Sequence, residues 1–186
     1  MELLWTSVDH PATEDCIVEL KDGMMEVDSI IAGKKDGKMY RLKYHAQLTH
    51  DWLFNLASIE FRFADSTQEF RVSKSGNGGC ILNDQPAPEF NGCDYIDIAL
   101  TPFTNSLPIN HLELKVGESR EISVIYFDLF ENVLKPVHQC YERRSQDEYL
   151  YQNIPNDFEA LIKVDGQGYV TDYPGLFKRT YEEEEP

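Results

Sequence analysis

The sequence has few basic residues for its length. Lysine and arginine together number 17, against 33 aspartate and glutamate residues, and the formal net charge is −16. The run of glutamates at 182–185 supplies four of these charges, so removing it still leaves −12. An acidic surface repels phosphate backbones and anionic bilayers. We therefore expect no nucleic acid partner and no stable membrane insertion.

The sequence also lacks a secretory signal and a long apolar run. Its first residues, MELLWTSVDHPATEDC, contain neither a basic region nor an apolar core of the kind that directs export. No stretch approaches the roughly 20 apolar residues that span a bilayer. The 4 cysteines form no CxxC pair, which does not favour a zinc or redox site. We expect free thiols and a cytoplasmic protein.

Signatures of catalysis and of cofactor binding are missing as well. The sequence contains no GxSxG elbow, no P-loop, no HExxH and no GxGxxG that opens a helix. Two of the 5 histidines, His45 and His50, are close in sequence, but their spacing is not typical of metal ligands. These absences argue against an enzyme without excluding one. No catalytic residue, metal or cofactor is predicted.

Strict alternation of apolar and polar residues is the dominant pattern. In MYRLKYHAQL, residues 39–48, apolar side chains occupy every second position, as in a half-buried strand. The stretches SIEFRF, EFRVS and DFEALIKV repeat the pattern. Glycine-containing turns separate the runs, among them KDG, KKDGK, SGNGG, VGES and VDGQG. No window has a convincing 3.6-residue period, so no helix is predicted.

These patterns predict an all-β protein with one domain. Short strands at near-regular spacing favour an antiparallel sheet that curls into a sandwich or a barrel. No repeat and no long linker divides the chain. We place the domain at residues 1–181 and an acidic C-terminal tail at 182–186.

One stretch, NGCDYIDIALTPFTNSLPINHL, resembles the putative glycolipid-binding family of bacterial proteins. That family carries GC-x-x-x-D-x-x-x-TPFTN-[TS]-LPI, which residues 92–109 match. Gln139 and Tyr141 resemble a Q-x-Y segment of the family, and VDGQGYVTDYPGLFKR resembles its C-terminal signature. Upstream of residue 91 the likeness is thinner, and Cys80 stands where relatives tend to have a Gly-x-Trp.

The resemblance implies a strongly curved antiparallel sheet that forms an open or half β-barrel, similar to lipoprotein carriers. It implies an apolar groove and a lipid-like or glycolipid ligand, but no established reaction. Ten phenylalanines and ten tyrosines could line such a groove, although a twisted β core favours aromatic residues in any case.

The segment TPFTNSLPI, residues 101–109, allows two interpretations. It could form a polar mouth to the groove, in which hydroxyl and amide groups meet a head group beside apolar side chains. It could instead form a sharp corner between strands, with prolines that fix φ and side chains that bond their own backbone. The predicted ligand-binding residues are Thr101, Phe103, Thr104, Asn105, Leu107, Gln139, Tyr141 and Tyr173.

The predicted roles of the residues outside this segment also have alternatives. A buried Gln139 amide needs partners, and bracing a neighbouring loop is favoured over contact with a ligand. The segment DYPGLF, with Tyr173, is typical of a Pro-Gly turn.

Two other functions remain open from the sequence. One is an enzyme acting on a small amphipathic metabolite, with Asp97, His111 and Asn105 as first candidates. A hydrogen bond between an aspartate and a histidine beside residues 101–109 would favour it. The other is a protein-interaction module that uses an exposed sheet edge, for example in a homodimer.

Overall fold

A computed structural model describes residues 1–76 and 78–182 of the chain. Its described part contains 15 strands, two short 3-10 helices at Pro88–Phe90 and Phe103–Asn105, and one α-helix, α1, at Ser106–Leu112. The strands of the first half are β1 Glu2–Ser7, β2 Ala12–Lys21, β3 Met24–Lys35, β4 Lys38–Leu48, β5 Phe54–Phe63, β6 Ser66–Lys74, β7 Cys80–Leu82 and β8 Gln85–Pro86. Those of the second half are β9 Tyr95–Ile98, β10 Ser119–Asp128, β11 Val133–Arg143, β12 Glu148–Ile154, β13 Glu159–Val164, β14 Val170–Tyr173 and β15 Phe177–Glu182. Beyond Glu182, the predicted acidic tail lies outside the described residues.

All of these strands belong to one curved sheet. The order along the sheet runs from β8 back to β1, then from β15 back to β9, so that the first and last strands are neighbours. Every pair is antiparallel except β9 and β10, which are parallel. The sheet does not close into a barrel, because β8 and β9 form its two edges. The predicted all-β, open-barrel fold is confirmed.

Alternation in β4 produces its two faces as predicted. Tyr40, Leu42 and Tyr44 are buried, while Arg41 and Lys43 between them are exposed. Successive side chains of a strand point to opposite faces, so every second residue reaches the core. The same alternation in β5 and β6 gives the first half of the sheet one apolar inner face.

Tight turns join the long strands β2, β3 and β4. Asp22 and Gly23 have φ angles of 52° and 80°, and Asp36 and Gly37 have φ angles of 49° and 79°. Two consecutive residues with positive φ are typical of the two-residue hairpin turns whose twist matches that of the strands. The Asp-Gly pairs in the sequence therefore set the register of these hairpins.

The prediction that the chain has no helix is wrong for residues 103–112. This stretch forms a 3-10 turn followed by α1, and residues 101–109 are all buried. Helical periodicity appears in a sequence when one face is apolar and the other is solvated. In α1 the four consecutive residues Ser106–Ile109 are buried and the last three are half-buried, so burial follows the chain and produces no such period. Pro108 fits because it lies in the first turn of α1, where its missing N–H is not required.

A glycine allows the chain to pass close to the end of α1. Gly168 has φ +79°, and a Cβ at this position would lie 2.3–2.6 Å from side-chain atoms of Asn110. We expect Gly168→Ala to lower the free energy of unfolding by about 1–3 kcal/mol, because alanine strains this backbone conformation. Urea unfolding measures the change.

The matched control for that substitution is Gly166→Ala in the same turn. Apart from Gly166 itself and its two chain neighbours, the described residues place no atom within 4 Å of its added Cβ. We expect a change within about 0.5 kcal/mol for this variant. Equal losses in the two variants would contradict a specific role for Gly168.

Candidate functional site

A cleft of about 570 Å³ opens in the half of the molecule formed by β9 to β15. Its floor is polar and is formed by Asp97, Thr101, Asn105 and Gln139. Three of these residues are almost inaccessible to solvent as whole residues, with Thr101 and Gln139 at 2% exposure and Asn105 at 6%. Buried polar groups that converge on a concave surface are typical of a ligand site.

Asp97 is the charged group of this floor. Its Oδ2 accepts a hydrogen bond from Gln139 Nε2 at 2.6 Å, and its Oδ1 accepts a long one from Thr104 Oγ1 at 3.4 Å. Burial raises the pKa of Asp97, although both hydrogen bonds act in the opposite direction. Within residues 1–76 and 78–182, no lysine, arginine or histidine forms an ion pair with it. The carboxyl group therefore has no charged partner among the described residues and keeps some free acceptor capacity in the cleft.

An aromatic wall of Tyr126, Tyr151, Tyr173 and Phe177 stands beside the floor. Ring centroids are 6.2 Å apart for Tyr151 and Tyr173 and 6.3 Å apart for Tyr173 and Phe177, with edge-to-face geometry. Tyr126 is the β10 residue that pairs with Asp97 in the β9–β10 ladder. Such edge-to-face pairs hold the rings in fixed positions.

The three tyrosines of the wall are neutral near pH 7. Burial raises the pKa of Tyr126 to about 12 and also raises the pKa values of Tyr151 and Tyr173. The nearby charge of Asp97 acts in the same direction on all three phenols. Each hydroxyl can therefore donate as well as accept a hydrogen bond.

The rim of the cleft is formed by Ile154, Pro155 and Phe158. Ile154 and Phe158 are each 41% exposed, so they present apolar surface to solvent beside the cleft. The rings of Phe158 and Tyr151 have centroids 6.0 Å apart, so the rim continues into the aromatic wall. The cleft is thus polar at the floor, and its exposed border combines apolar side chains with the charged or polar side chains of Lys135, His138 and Asp157.

Side chains of residues 101–109 bond mainly to other parts of the protein. The Asn105 Oδ1 accepts a hydrogen bond from Tyr141 Oη at 2.8 Å, and its Nδ2 donates to the Pro102 carbonyl at 3.3 Å. Besides donating to Asp97, Thr104 Oγ1 accepts a bond from the Ile98 N–H at 3.4 Å. These side chains brace the segment, and Asn105 also borders the cleft.

The predicted ligand-binding residues fall into two groups. Thr101, Asn105, Gln139 and Tyr173 line the cleft, and Phe103, Thr104, Leu107 and Tyr141 lie behind it. Phe103 is 1% exposed and Leu107 is fully buried. The ring of Phe103 stacks on Tyr169 with centroids 6.3 Å apart and an interplanar angle of 28°. The second group supports the surface that the first group presents.

Glu14 is a buried residue that the sequence analysis missed. Its Oε1 accepts hydrogen bonds of 2.8 Å from the hydroxyls of Ser29, Tyr44 and Thr101. Its Oε2 is buried and has no partner among the described residues. Burial raises the pKa of Glu14 to about 7, although the three hydroxyl bonds act to lower it. This cluster joins β2, β3 and β4 to the start of residues 101–109.

A signal for Glu14 exists in the sequence. It lies in phase with Cys16 and Val18, which are buried on the same face of β2. A glutamate on the apolar face of an alternating strand predicts a buried carboxyl group that needs partners. Which partners it finds is not readable from β2 itself.

The structure does not bring Asp97 and His111 together as the enzyme hypothesis requires. The ring nitrogen Nδ1 of His111 lies 2.6 Å from the backbone carbonyl oxygen of Asp51. Its ring packs edge-on against Tyr95 with centroids 5.8 Å apart. Asn105, the third candidate, bonds to Tyr141. No hydrogen bond joins Asp97 to a histidine within the described part of the chain.

A second depression, of about 600 Å³, lies over β3 to β6. Charged side chains of both signs border it, and His45 lies 3.1 Å from Glu26 and 2.9 Å from Asp28. Paired charges on an open sheet surface are typical of a solvated face. We therefore take the cleft of about 570 Å³, in the half of the molecule formed by β9 to β15, as the candidate site.

Residues 1–76 and 78–182 contain neither a membrane-spanning helix nor a cluster of metal ligands. None of their helices combines the length and the apolar character that crossing a bilayer requires. Histidine, cysteine, aspartate and glutamate side chains form no group of three or more arranged to hold a metal ion.

Comparisons with known proteins agree with this architecture. The family described as "Putative glycolipid-binding" matches residues 2–179. A crystal structure of a DUF1089 family protein from Pseudomonas aeruginosa is similar, with a TM-score of 0.78 and 32% sequence identity. The similarity covers 91% of this chain and 92% of that chain. No match was found among curated proteins.

Proposed function

The chain belongs to the family described as "Putative glycolipid-binding", and from this membership and the cleft we propose that it binds a glycolipid-like amphiphile. The observation that carries the proposal is the presence, in one cleft, of a buried polar floor, an aromatic wall and exposed apolar side chains at Ile154 and Phe158. A molecule with a hydroxyl-bearing head group and an alkyl chain matches that combination.

The floor supports a sugar-like head group. The Asp97 carboxylate has two close donors, Gln139 and Thr104, and a carboxylate can accept about four hydrogen bonds. Sugar hydroxyls can donate to the remaining positions. The rings of Tyr126, Tyr151 and Tyr173 offer apolar faces to a sugar ring and hydroxyl groups to its oxygens.

The rim supports an alkyl chain that leaves the cleft. Ile154 and Phe158 provide exposed apolar surface where the cleft opens. A volume of about 570 Å³ lies within the range of sites for small molecules. The head group and the first carbons of a chain fit this volume, and the rest of the chain then lies along the rim.

The sheet edges do not favour the alternative of a protein-interaction module. β8 has two residues, one of which is Pro86, and β9 has four. Short edges and proline limit the pairing of a strand with another chain. No observation favours this function over the cleft.

The test of the proposal is native mass spectrometry of freshly purified protein, followed by lipid extraction and analysis. In a second test, octyl glucoside is titrated into the protein and binding is measured by calorimetry. We expect a retained amphiphile in the purified protein and saturable binding of octyl glucoside. A folded protein that retains no adduct after exposure to mixed lipid extracts, and binds no alkyl glycoside, would overturn the proposal.

Removing one ring of the aromatic wall should weaken the binding of octyl glucoside. We expect Tyr126→Ala to raise the Kd for octyl glucoside by about three- to tenfold, because an aromatic contact contributes roughly 0.5–1.5 kcal/mol beyond its buried area. Tyr126 is half-buried, so the folded state should tolerate the change. Calorimetry measures the Kd.

The control for Tyr126 is Phe63→Ala. Phe63 is also half-buried, but its ring packs against Phe130 at a centroid distance of 5.2 Å, outside the cleft. This variant should bind octyl glucoside as the wild type does. Equal weakening by both variants would show a general loss of structure instead of a lost contact.

A further inference from the structure

We propose that the head group held in the cleft carries a cationic nitrogen, as an amino sugar does, and that its ammonium group lies between Asp97 and the rings of Tyr126, Tyr151 and Tyr173. This inference rests on the proposed function, because it names the chemical class of the head group at the same site.

The first argument is that the buried carboxyl group of Asp97 has no cationic partner among the described residues. Both of its donors, Gln139 and Thr104, are neutral. Moving a carboxylate out of water costs free energy unless an opposite charge or enough hydrogen bonds replace the water. The raised pKa of Asp97 reflects the same cost. A bound ammonium group supplies the missing charge.

The aromatic wall provides the second argument. A cation is attracted to the face of an aromatic ring, and recognition of ammonium ligands commonly uses several rings at once. The planes of Tyr151 and Tyr173 meet at 61° with centroids 6.2 Å apart, so the two rings bound a corner instead of stacking flat. Both phenols are close enough to Asp97 for its charge to raise their pKa values. Carboxylate and rings therefore attract a cation to one place.

The balance of charges around the cleft points the same way. Asp97, Asp128 and Asp157 border it, against Lys135 and His138. The His138 side chain is 60% exposed, and its Nδ1 lies 3.6 Å from Glu121 Oε1 and 3.2 Å from Ser123 Oγ. The cleft is thus net acidic on a chain of charge −16. A phosphate or sulfate head group would meet repulsion there.

The test compares three amphiphiles that differ in one substituent: octyl glucoside, octyl 2-amino-2-deoxyglucoside and its N-acetylated form. Titrations by calorimetry are made at about pH 6.5 and low ionic strength. We expect the amine to bind about tenfold more tightly than the neutral glucoside, and the N-acetyl compound to lose this preference. Added salt should reduce the preference, since part of it is a charge–charge attraction.

Variants then locate the preference. Asp97→Asn should weaken the binding of both compounds, since Asp97 accepts from the sugar hydroxyls, but it should weaken the amine more and reduce the preference for the amine to less than about twofold. Asp15→Asn, an exposed aspartate of β2 outside the cleft, should leave the preference unchanged. Asp97→Glu keeps the charge and should keep most of the preference. This variant and the salt series of the wild type decide the question if Asp97→Asn does not fold.

Each outcome has one meaning for the proposal. Equal binding of the amine and the neutral glucoside by the wild type overturns the cationic head group and leaves the proposed function standing. Absence of binding for all three compounds overturns the proposed function itself. A preference for the amine that survives in Asp97→Asn overturns the assignment to Asp97.

Discussion

Glu14→Gln is expected to remove a loss of stability that the wild-type protein undergoes between about pH 4.5 and pH 7. Burial raises the pKa of Glu14 to about 7 in the folded protein, from its ordinary value of 4.5. A shift of one pKa unit corresponds to about 1.36 kcal/mol, so the free energy of unfolding should fall by roughly 3 kcal/mol across this range. Glutamine has no proton to lose, and its variant should lack this fall.

The direction follows from proton binding in the two states. Between about pH 4.5 and 7 the folded protein keeps the proton on Glu14, whereas the unfolded chain has released it. Stability falls with rising pH wherever the folded state binds more protons. The contribution of Glu14 is therefore fully present below about pH 4.5 and lost as the pH rises through about 7.

Urea unfolding at several pH values between 4.5 and 8 measures this effect. The pKa of Asp97 is also raised, so the informative quantity is the difference between wild type and variant. Glu19→Gln is the matched control, since Glu19 lies on the exposed face of the same strand and pairs with Lys21. Glu19→Gln should keep the wild-type pH dependence. The same dependence in Glu14→Gln would contradict a buried, titrating Glu14.

This carboxyl group matters beyond stability because of what it touches. Thr101 donates to Glu14 and also lines the cleft. The unpartnered Oε2 means that ionisation places a charge in an apolar interior that satisfies only one of its oxygens. The hydrogen bond from Thr101 thus joins the cleft to a buried carboxyl group in the opposite half of the sheet.

The strands and their turns are the features of the fold that the sequence predicts well. Alternation places Tyr40, Leu42 and Tyr44 on one face, and the Asp-Gly pair at 36–37 fixes the turn before them. These features depend on neighbours within a few residues. Pairing of β1 with β15 joins the two ends of the chain, and no local pattern contains that information.

The candidate site was only partly readable for the same reason. Thr101, Asn105, Gln139 and Tyr173 were chosen through the family resemblance and line the cleft. The cleft also contains Tyr126, Tyr151 and Phe158, which lie outside the family motifs. Glu14 meets Thr101 across 87 residues of sequence. Contacts of this kind depend on how the sheet curves, which is a property of the whole chain.

Residues 101–109 illustrate why a motif can be recognised without its role being readable from the sequence. The interpretations as a mouth and as a corner each assumed one surface for the segment. In the structure, Thr101 and Asn105 border the cleft, while Phe103 and Leu107 are buried behind it. Residues 101–109 therefore form a buried support for the cleft, and two of their polar side chains border it. Its apolar residues and its polar residues should therefore respond differently to substitution.

Phe103→Ala is expected to lower the free energy of unfolding by about 3–5 kcal/mol, the usual cost of removing a buried phenylalanine ring. The Phe103 ring stacks on Tyr169, so its loss leaves a cavity beside residues 101–109.

Phe158→Ala at the rim should cost much less stability, because Phe158 is 41% exposed. It should nevertheless weaken the binding of octyl glucoside, since the alkyl chain loses apolar surface.

Urea unfolding and calorimetric titration of both variants separate support from contact. In conditions where Phe103→Ala remains folded, its Kd for octyl glucoside should stay within about threefold of wild type, because Asp97 and the rings of the wall are unchanged. Near wild-type stability of Phe103→Ala together with lost binding would assign Phe103 to the ligand and contradict its role as a support. A large loss of stability in Phe158→Ala would contradict its place at the rim. The two variants thus test whether Phe103 supports the cleft from behind while Phe158 contacts the ligand, since a support and a contact fail in different measurements.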